Sequence, residues 1–253
     1  MNKLAFVFPG QGAQQVGMGK DFYEKYDVAK KLFREADEAL GYSIMAMCFD
    51  GPEGDLRLTA NTQPAILTVS VIANEILKEH GIQPEITGGH SLGEYSALVA
   101  ADVLDFSDAV LLVHKRGSFM QEAVPVGEGG MAAVMGLERE KIVEVCEKVS
   151  ADVGAVQAVN FNCPGQIVIA GTMAGVEKAA DIKESLVKQA ASPVKWEDCV
   201  LKMKEFGADT FVEAGPGKTL CGFNKRIDRK LTSMNVENLE TLQKTLDYFR
   251  EVR

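Results

Sequence analysis

The sequence has few histidines and no long apolar run. Three histidines occur among 253 residues, at positions 80, 90 and 114. The longest nearly apolar stretches, such as residues 97–104, are much shorter than the ~20 residues that a bilayer span requires. The apolar run at 4–8 stops at Pro9 and is too short for the core of a signal peptide. The sequence therefore predicts neither a membrane span nor a secretion signal.

Excess positive charge and paired cysteines are also missing. Lys and Arg number 27 against 36 Asp and Glu, which gives a net charge of −9. Such an acidic chain is a poor non-specific binder of nucleic acid, because nothing global attracts phosphate. The five cysteines are widely spaced and form neither a metal-binding pair nor a disulfide framework. We therefore expect a cytoplasmic protein in a reducing compartment, with no metal site.

The hydrophobic pattern that is present indicates an α/β fold. A short apolar strand is predicted at 4–8 and a second at 86–89, and a helical period runs through 21–40. Asn61 and Ser107 are predicted to cap two further helices. Strands that alternate with helices along the chain favour a mainly parallel sheet.

The middle of the chain has a different pattern. Strand, helix, strand, strand and helix follow one another there, which is five-sixths of a split β-α-β-β-α-β unit. The first four are predicted at 131–135, 138–149, 156–162 and 166–170. A sixth element, a strand, is expected soon after Ala180, but the chain continues from Asp181 into another helical pattern at Ile182. A helix is also predicted at 193–206.

A candidate nucleophile lies in Gly89-His90-Ser91-Leu92-Gly93. The segment matches Gly-x-Ser-x-Gly, follows a predicted strand and precedes a predicted helix, which is the setting of a nucleophile elbow. In such a turn the serine points at the N-terminus of the next helix, where free N–H groups favour an oxyanion. The simpler alternative is a strand-to-helix turn with a capping serine.

Two further features could serve the same chemistry. The loop at 9–14 carries glycines on both sides of Gln11, so a backbone N–H could approach a reacting carbonyl. Its spacing fits neither a P-loop nor a dinucleotide site, and a simple turn is the alternative. Arg116, on the helix after the elbow helix, could bind a carboxylate through its two parallel N–H groups; otherwise it is a solvated helix residue.

Taken together, several segments resemble malonyl-CoA:acyl carrier protein transacylase of bacterial type II fatty acid synthesis. The resemblance covers nearly the whole chain, in the order of that family. Its segments are FVFPGQGAQ at 6–14, TQPA at 62–65, GHSLGEYSALVAA at 89–101, RGSFMQEA at 116–123, GGMAAVMG at 129–136, NFNCPGQIVIAG at 160–171 and FVEAGPGKTL at 211–220.

The resemblance implies a fold and a reaction. It implies an α/β-hydrolase-like core at 1–123 and 182–253, with an incomplete ferredoxin-like α+β subdomain inserted at 124–181. It also implies a monomer that moves a malonyl group from malonyl-CoA to the phosphopantetheine thiol of acyl carrier protein. The route would be a ping-pong reaction through an acyl-serine, with the coenzyme A thioester as substrate and no cofactor.

The resemblance also assigns residues. Ser91 matches the nucleophile, and the backbone N–H groups of Gln11 and Leu92 match the oxyanion hole. Arg116 matches the arginine that pairs with the malonyl carboxylate. The acyl site would be lined by Gln63, Asn160 and His90. Gln189 matches the residue whose carbonyl orients the catalytic histidine.

One part of the family pattern is absent, the segment that resembles G-P-F-H-S and carries the histidine base. Several dozen residues are missing between Asp181 and Ile182, and none of His80, His90 and His114 is a convincing base. Three explanations stay open: residues omitted from this sequence, a deletion, or a pseudoenzyme. The first is favoured, because a deletion would expose sheet edges.

Two other functions fit some of the same residues. A hydrolase could use the same elbow on esters or thioesters, although Arg116 argues against an apolar acyl site. The second alternative is a catalytically impaired module that binds acyl groups or carrier protein. For carrier docking, a basic patch in the C-terminal third is a hypothesis. Its members are Lys188, Lys195, Lys202, Lys204, Lys218, Lys225, Arg226, Arg229 and Lys230.

Overall fold

A computed structural model describes residues 3–123, 129–176 and 193–252. The strands are β1 Lys3–Phe8, β2 Ile86–Gly89, β3 Gly129–Met135, β4 Val156–Cys163, β5 Gln166–Thr172, β6 Ala208–Ala214 and β7 Thr232–Val236. The helices are α1 Lys20–Lys25, α2 Asp27–Leu40, α3 Ile44–Asp50, α4 Glu53–Leu56, α5 Thr59–Glu79, α6 Gly93–Ala100, α7 Phe106–Ala123, α8 Arg139–Asp152, α9 Trp196–Phe206, α10 Thr219–Ile227 and α11 Leu239–Glu251. The chain forms two compact units, 1–121 with 203–225 and 230–253, and 122–202 with 226–229.

The first unit is built on a parallel four-stranded sheet. Its strand order is β2-β1-β6-β7, and each neighbouring pair runs parallel. Phe6 and Phe8 on one face of β1, and Ala5 and Val7 on the other, are all fully buried, as expected for a central strand covered on both faces. The predicted α/β class with a mainly parallel sheet is confirmed.

The long helix α5 lies in the core of this unit. Fifteen of its 21 residues are buried, so it is enclosed on nearly all sides, in contrast to the one-sided burial of a surface helix. It supplies Ile66, Val69, Ile72 and Ile76 to the core. A helix fixed in this way is a rigid support for side chains near its N-terminus.

Three sequence predictions about helices in this unit were wrong. The helix predicted over 21–40 is broken at Tyr26, whose backbone is extended (φ −117°, ψ 130°) and separates α1 from α2. Asn61 does not cap α5, which begins at Thr59; its side chain instead donates to the carbonyl of Asp55. Ser107 lies inside α7 and donates its hydroxyl to Glu35.

The second unit contains an antiparallel three-stranded sheet in the order β3-β5-β4. The helix α8 buries Ile142, Cys146 and Val149 in an apolar cluster with residues of β4 and β5. The predicted hairpin at Cys163-Pro164-Gly165 is confirmed, since β4 and β5 pair on either side of it.

The outer edge of β4 is covered by the residues that precede α9. Phe161 donates its backbone N–H to Val194 at 2.8 Å, and Val194 donates to Val159 at 2.7 Å, in a parallel bridge. The helix predicted over 193–206 therefore begins only at Trp196, because the backbone groups of Val194 are used by the sheet.

The predicted gap between Asp181 and Ile182, and with it the boundary of the inserted subdomain, lies outside the described residues. The domain boundaries stay a prediction. Within the described ranges no helix is both long and apolar enough to cross a membrane.

Candidate active site

Ser91 lies in a strained turn between β2 and α6. Its φ of 53° falls in the left-handed region, which side chains other than glycine rarely adopt. His90 donates its backbone N–H to Phe8 of β1 at 3.0 Å, and Gly93 donates to the carbonyl of His90 at 2.9 Å. These two bonds hold the turn on both sides of the serine and over-determine its conformation.

The two glycines of the motif are required by close backbone approaches. A Cβ on Gly89 would lie 1.8 Å from the carbonyl carbon of Gly93, and a Cβ on Gly93 would lie 2.1 Å from the carbonyl oxygen of Phe8. No side chain fits at either position. The strand, the turn and the helix can therefore pack this closely only with glycine at both ends of the motif.

Arg116 of α7 links the nucleophile to α5. One guanidinium nitrogen lies 3.2 Å from Ser91 Oγ, and another donates to Gln63 Oε1 at 2.8 Å. Gln63 is fully buried, and its own Nε2 contacts Met120 Sδ at 3.4 Å. The arginine is thus held at a fixed place beside the serine hydroxyl.

The loop after β1 approaches the elbow from the other side. A Cβ on Gly10 would lie 2.5 Å from the carbonyl oxygen of His90, so glycine permits this contact between the two loops. Next to it, the exposed Gln11 donates its side-chain amide to Thr59 Oγ1 at 3.2 Å. The loop that carries Gln11 is therefore fixed to the N-terminus of α5 and lies against the elbow.

Leu92 lies at the N-terminus of α6. It is fully buried and has helical φ and ψ. Its backbone amide therefore belongs to the end of the helix at which unpaired N–H groups and the dipole favour negative charge.

The three histidines occupy different surroundings. His80, at the end of α5, pairs with the hydroxyl of Tyr26 at 3.2 Å through Nε2. His114 Nδ1 lies 2.9 Å from the carbonyl oxygen of Ala60. His90 precedes the nucleophile, and its ring lies 6.3 Å from that of Phe223. The contacts of His80 and His114 are structural.

Two other predicted site residues are not in the first unit as the structure describes it. Asn160 is in β4 of the second unit, where it pairs with Val168 of β5 and bridges to Val194. Gln189 lies outside the described residues. The structure thus brings together Ser91, Arg116 and Gln63, and it places Gln11 and Leu92 on the loops beside them.

Sequence reasoning missed two residues that contact this group. Tyr95 lies one helical turn after Ser91, and the Arg116 guanidinium is 5.9 Å from its ring centre, within the range of a cation–π contact. Met120 lies one turn after Arg116 and contacts Gln63. The signal was the spacing of four residues, which places side chains on the same helix face.

Arg116, Gln63 and Ser91 together define a class of chemistry. A serine in a strained elbow beside a helix N-terminus is suited to forming an ester with an acyl group. Among residues 3–123, 129–176 and 193–252, no group of three or more His, Cys, Asp or Glu side chains could hold a metal ion. The acyl transferase domain family matches residues 5–189 of the chain. The protein is thus an acyltransferase by fold and site.

Comparison with individual proteins narrows this class. The chain is 41% identical to the malonyl CoA-acyl carrier protein transacylase of Bacillus subtilis, over 99% of this chain and 98% of that protein. The transacylase structure from Clostridium perfringens is 38% identical and superimposes with a TM-score of 0.92, over 99% and 98% of the two chains. A malonyl-transacylase solved in complex with its type II PKS acyl-carrier protein is 34% identical, with a TM-score of 0.91 over 98% and 100%. The chain belongs to the malonyl CoA-acyl carrier protein transacylase family.

The alignment with the Bacillus subtilis protein also shows how many of its residues have no counterpart in this chain. It spans 312 positions, whereas the chain has 253 residues, so at least 59 positions are occupied by the Bacillus subtilis protein alone. This agrees in size with the several dozen residues predicted to be missing.

Proposed function

We propose that the chain transfers a malonyl group from coenzyme A to the phosphopantetheine thiol of acyl carrier protein, in fatty acid synthesis. The observation that carries this proposal is the 3.2 Å contact between Arg116 and Ser91 Oγ. In malonyl-CoA a single methylene separates the carboxylate from the thioester carbonyl. A cation that binds the carboxylate must therefore lie close to the nucleophile, as Arg116 does.

The reaction has two steps, each a displacement at the acyl carbon. Ser91 Oγ attacks the thioester carbonyl, the carbon–sulfur bond breaks, and coenzyme A leaves as its thiol with the proton that the serine loses. The pantetheine thiol then attacks the serine ester, the carbon–oxygen bond breaks, and Ser91 regains a proton. The backbone N–H groups of Gln11 and Leu92 would stabilise the oxyanion in both steps.

Substrate choice would depend on Arg116. Gln63 orients the guanidinium, and Asn160 and His90 would line the acyl site. An acetyl or butyryl group leaves the guanidinium without its anionic partner, which penalises these substrates. No cofactor is proposed, and the coenzyme A thioester is the substrate. None of the five cysteines, all of which lie in the described ranges, is in a disulfide, which supports a cytoplasmic location.

The proposed reaction requires a base that accepts the proton of Ser91. An arginine side chain donates hydrogen bonds but accepts none, so Arg116 cannot take the serine proton. His80 and His114 are bound to Tyr26 and Ala60. By analogy with serine hydrolase triads, loss of a histidine base lowers the rate on the order of 10⁴–10⁶-fold. If the missing segment is absent from the protein, we therefore expect the acyl-serine to form slowly; if the segment is only omitted from this sequence, its histidine supplies the base.

Intact mass spectrometry tests the proposal. The purified protein is incubated with malonyl-CoA, and a malonyl increment is expected in the wild type and not in Ser91→Ala. An unmodified mass well above 27.4 kDa would show that residues are omitted from this sequence. Adding a pantetheine thiol should remove the increment. Faster removal by water than by the thiol would indicate a hydrolase, and no increment after prolonged incubation would indicate a binding module without serine chemistry.

Carrier docking is proposed at basic residues of the C-terminal third. Lys218, Lys225 and Arg226 are exposed in or beside α10, and the resemblance implies an acidic carrier protein. Replacing Lys225 and Arg226 by glutamate should weaken carrier binding several-fold at low salt. Unchanged binding would place the docking surface elsewhere.

A further inference from the structure

Two backbone N–H groups of the candidate active site have no hydrogen-bond partner in the described part of the chain. They belong to Gln11 and Leu92. The N–H groups that follow them are used: Gly12 donates to Gln14 Oε1 at 2.8 Å, and Gly93 donates to a carbonyl at 2.9 Å. The two N–H groups left available are those that the resemblance assigns to the oxyanion hole.

The two groups differ in how they are held. Leu92 is fully buried at the start of α6, whereas Gln11 is exposed on the loop after β1. Of the hydrogen bonds that the structure describes for residues 10–14, only the one from Gln11 Nε2 to Thr59 Oγ1, at 3.2 Å, leaves the loop. The place of the Gln11 N–H therefore depends on a side-chain contact of the same residue.

Thr59 is a firmly held partner for this contact. It is the first residue of α5 and is half-buried. The helix α7 packs directly against its backbone, since a Cβ on Gly117 would lie 2.5 Å from the carbonyl oxygen of Thr59. One residue later, His114 Nδ1 lies 2.9 Å from the carbonyl oxygen of Ala60. The helix that carries Arg116 therefore fixes the backbone from which the Thr59 hydroxyl projects.

We propose that Thr59 is a positioning residue, which holds the Gln11 N–H where the oxyanion of acyl transfer forms. The proposal rests on the proposed acylation of Ser91. Donors to an oxyanion act through preorganisation, and removal of one lowers the rate by about 10²–10³-fold. Loss of the Thr59 hydroxyl leaves the donor in place but releases its loop, so the expected loss is smaller, about tenfold.

Single-turnover acylation of Ser91 tests the proposal. Thr59→Val removes the hydroxyl at similar volume and should lower the acylation rate about tenfold, with no change in the malonyl-CoA concentration that gives half the maximal rate. Acetyl-CoA should be slowed by the same factor, because both thioesters form the same oxyanion; the preference that depends on Arg116 should stay. Thr59→Ser keeps the hydroxyl and should recover most of the rate. An altered preference between the two thioesters would assign Thr59 to substrate binding and overturn the proposal.

Gln11→Ala is the matched variant on the other side of the contact, since it removes the side chain and keeps the backbone N–H. It should slow acylation as much as Thr59→Val does. The double variant should be no slower than either single variant, because both changes break one hydrogen bond. Effects that multiply would mean that Thr59 acts by another route, and would overturn the proposal.

An activated ester separates this proposal from the proposed function. Attack of Ser91 on p-nitrophenyl acetate forms the same oxyanion without coenzyme A or a carboxylate, and Ser91→Ala gives the background. If the ester acylates the wild type and malonyl-CoA does not, the proposed function fails, and the ester decides the role of Thr59. In either case, the ¹⁵N order parameter of the Gln11 amide should fall from about 0.85 to below about 0.6 in Thr59→Val. An unchanged acylation rate or an unchanged order parameter would overturn the proposal.

Discussion

In the proposed reaction, acyl-group selection depends on Arg116. Its guanidinium contacts both Ser91 and Gln63. We expect Arg116→Ala to lower kcat/KM for malonyl-CoA by about 10²–10³-fold, because the carboxylate of the substrate loses a charge-assisted partner. The slow reaction with acetyl-CoA should change far less, so the preference between the two substrates should collapse.

Single-turnover acylation of Ser91 by the two thioesters measures this preference. Arg57→Ala is a matched control, since Arg57 is exposed and pairs only at the surface with Glu53 in the described part of the chain. An Arg116→Ala variant that retains its preference for malonyl-CoA would show that another residue binds the carboxylate.

Glu213 in β6 is a buried carboxylate with an effect on stability. It accepts backbone N–H bonds from Leu220 and Cys221 at the start of α10, yet burial is the larger effect and raises its pKa above the usual 4.5. The folded protein therefore binds a proton more tightly than the unfolded chain does. As pH rises from the unfolded pKa through the raised folded pKa, this residue must lower the free energy of unfolding.

Glu213→Gln isolates this effect from the other titrating groups. The difference in free energy of unfolding, wild type minus variant, should decrease as pH rises from about 4 to neutrality, as measured by urea unfolding at each pH. A difference that stays constant, or that increases with pH, would contradict the raised pKa.

At the scale of elements, a side-chain donor of α7 takes the place of a backbone N–H that α5 lacks, and this joins the two helices. Pro64 has no N–H, so it leaves unpaired the carbonyl of Ala60, one turn earlier in α5. His114 Nδ1 lies 2.9 Å from that carbonyl oxygen. A histidine of α7 thus replaces the missing helical hydrogen bond and fixes the helix that carries Arg116 against the one that carries Gln63.

A double-mutant cycle tests this exchange. His114→Ala should destabilise the fold by about 1–3 kcal/mol, because it leaves a partly buried carbonyl unpaired. In the Pro64→Ala background the loss should be smaller, since the new backbone N–H at position 64 can donate to Ala60 within the helix. Equal losses in both backgrounds would mean that His114 acts through packing alone. Chemical denaturation of the four proteins gives the coupling energy.

The sequence predicts an element of the fold when a short stretch of neighbouring residues determines it, and fails when tertiary contacts determine it. The elbow, the β4–β5 hairpin and the core strands follow from short patterns around Gly89, Pro164 and Phe6, and the structure has all three elements. The break at Tyr26 and the late start of α9 depend on the chain's particular tertiary contacts. The strand β7 and the helix α10 escaped prediction.

The same distinction applies to the site. The motif around Ser91 was visible in the sequence because glycine is required where backbones approach within contact distance. That Arg116 lies beside Ser91 and Gln63 depends on how α5, α6 and α7 pack, which no local pattern determines. The sequence suggested Arg116 by residue type and by resemblance; the distances come from the fold.

At the scale of the whole molecule, the sequence carries the proposed acyl site without the segment that holds the family's histidine base. At least 59 positions of its relative are missing, and the three remaining histidines are His80, His90 and His114. A rate that depends on an imidazole base levels off above its pKa near 6.5. Without such a base, serine acylation should depend on direct deprotonation of Ser91, and its rate should rise by about tenfold per pH unit through neutrality.

Quench-flow or manual sampling with intact-mass detection gives the rate of malonyl-Ser91 formation between pH 5 and 9. His90→Asn should follow the same line as the wild type, because His90 precedes the nucleophile without serving as its base. A plateau near pH 6.5 in the wild type that is lost in His90→Asn would assign the base to His90. A plateau in both proteins would place a base on a residue other than His90. A tenfold rise per pH unit in both would show that no imidazole base assists Ser91, as expected if the missing segment is absent from the protein.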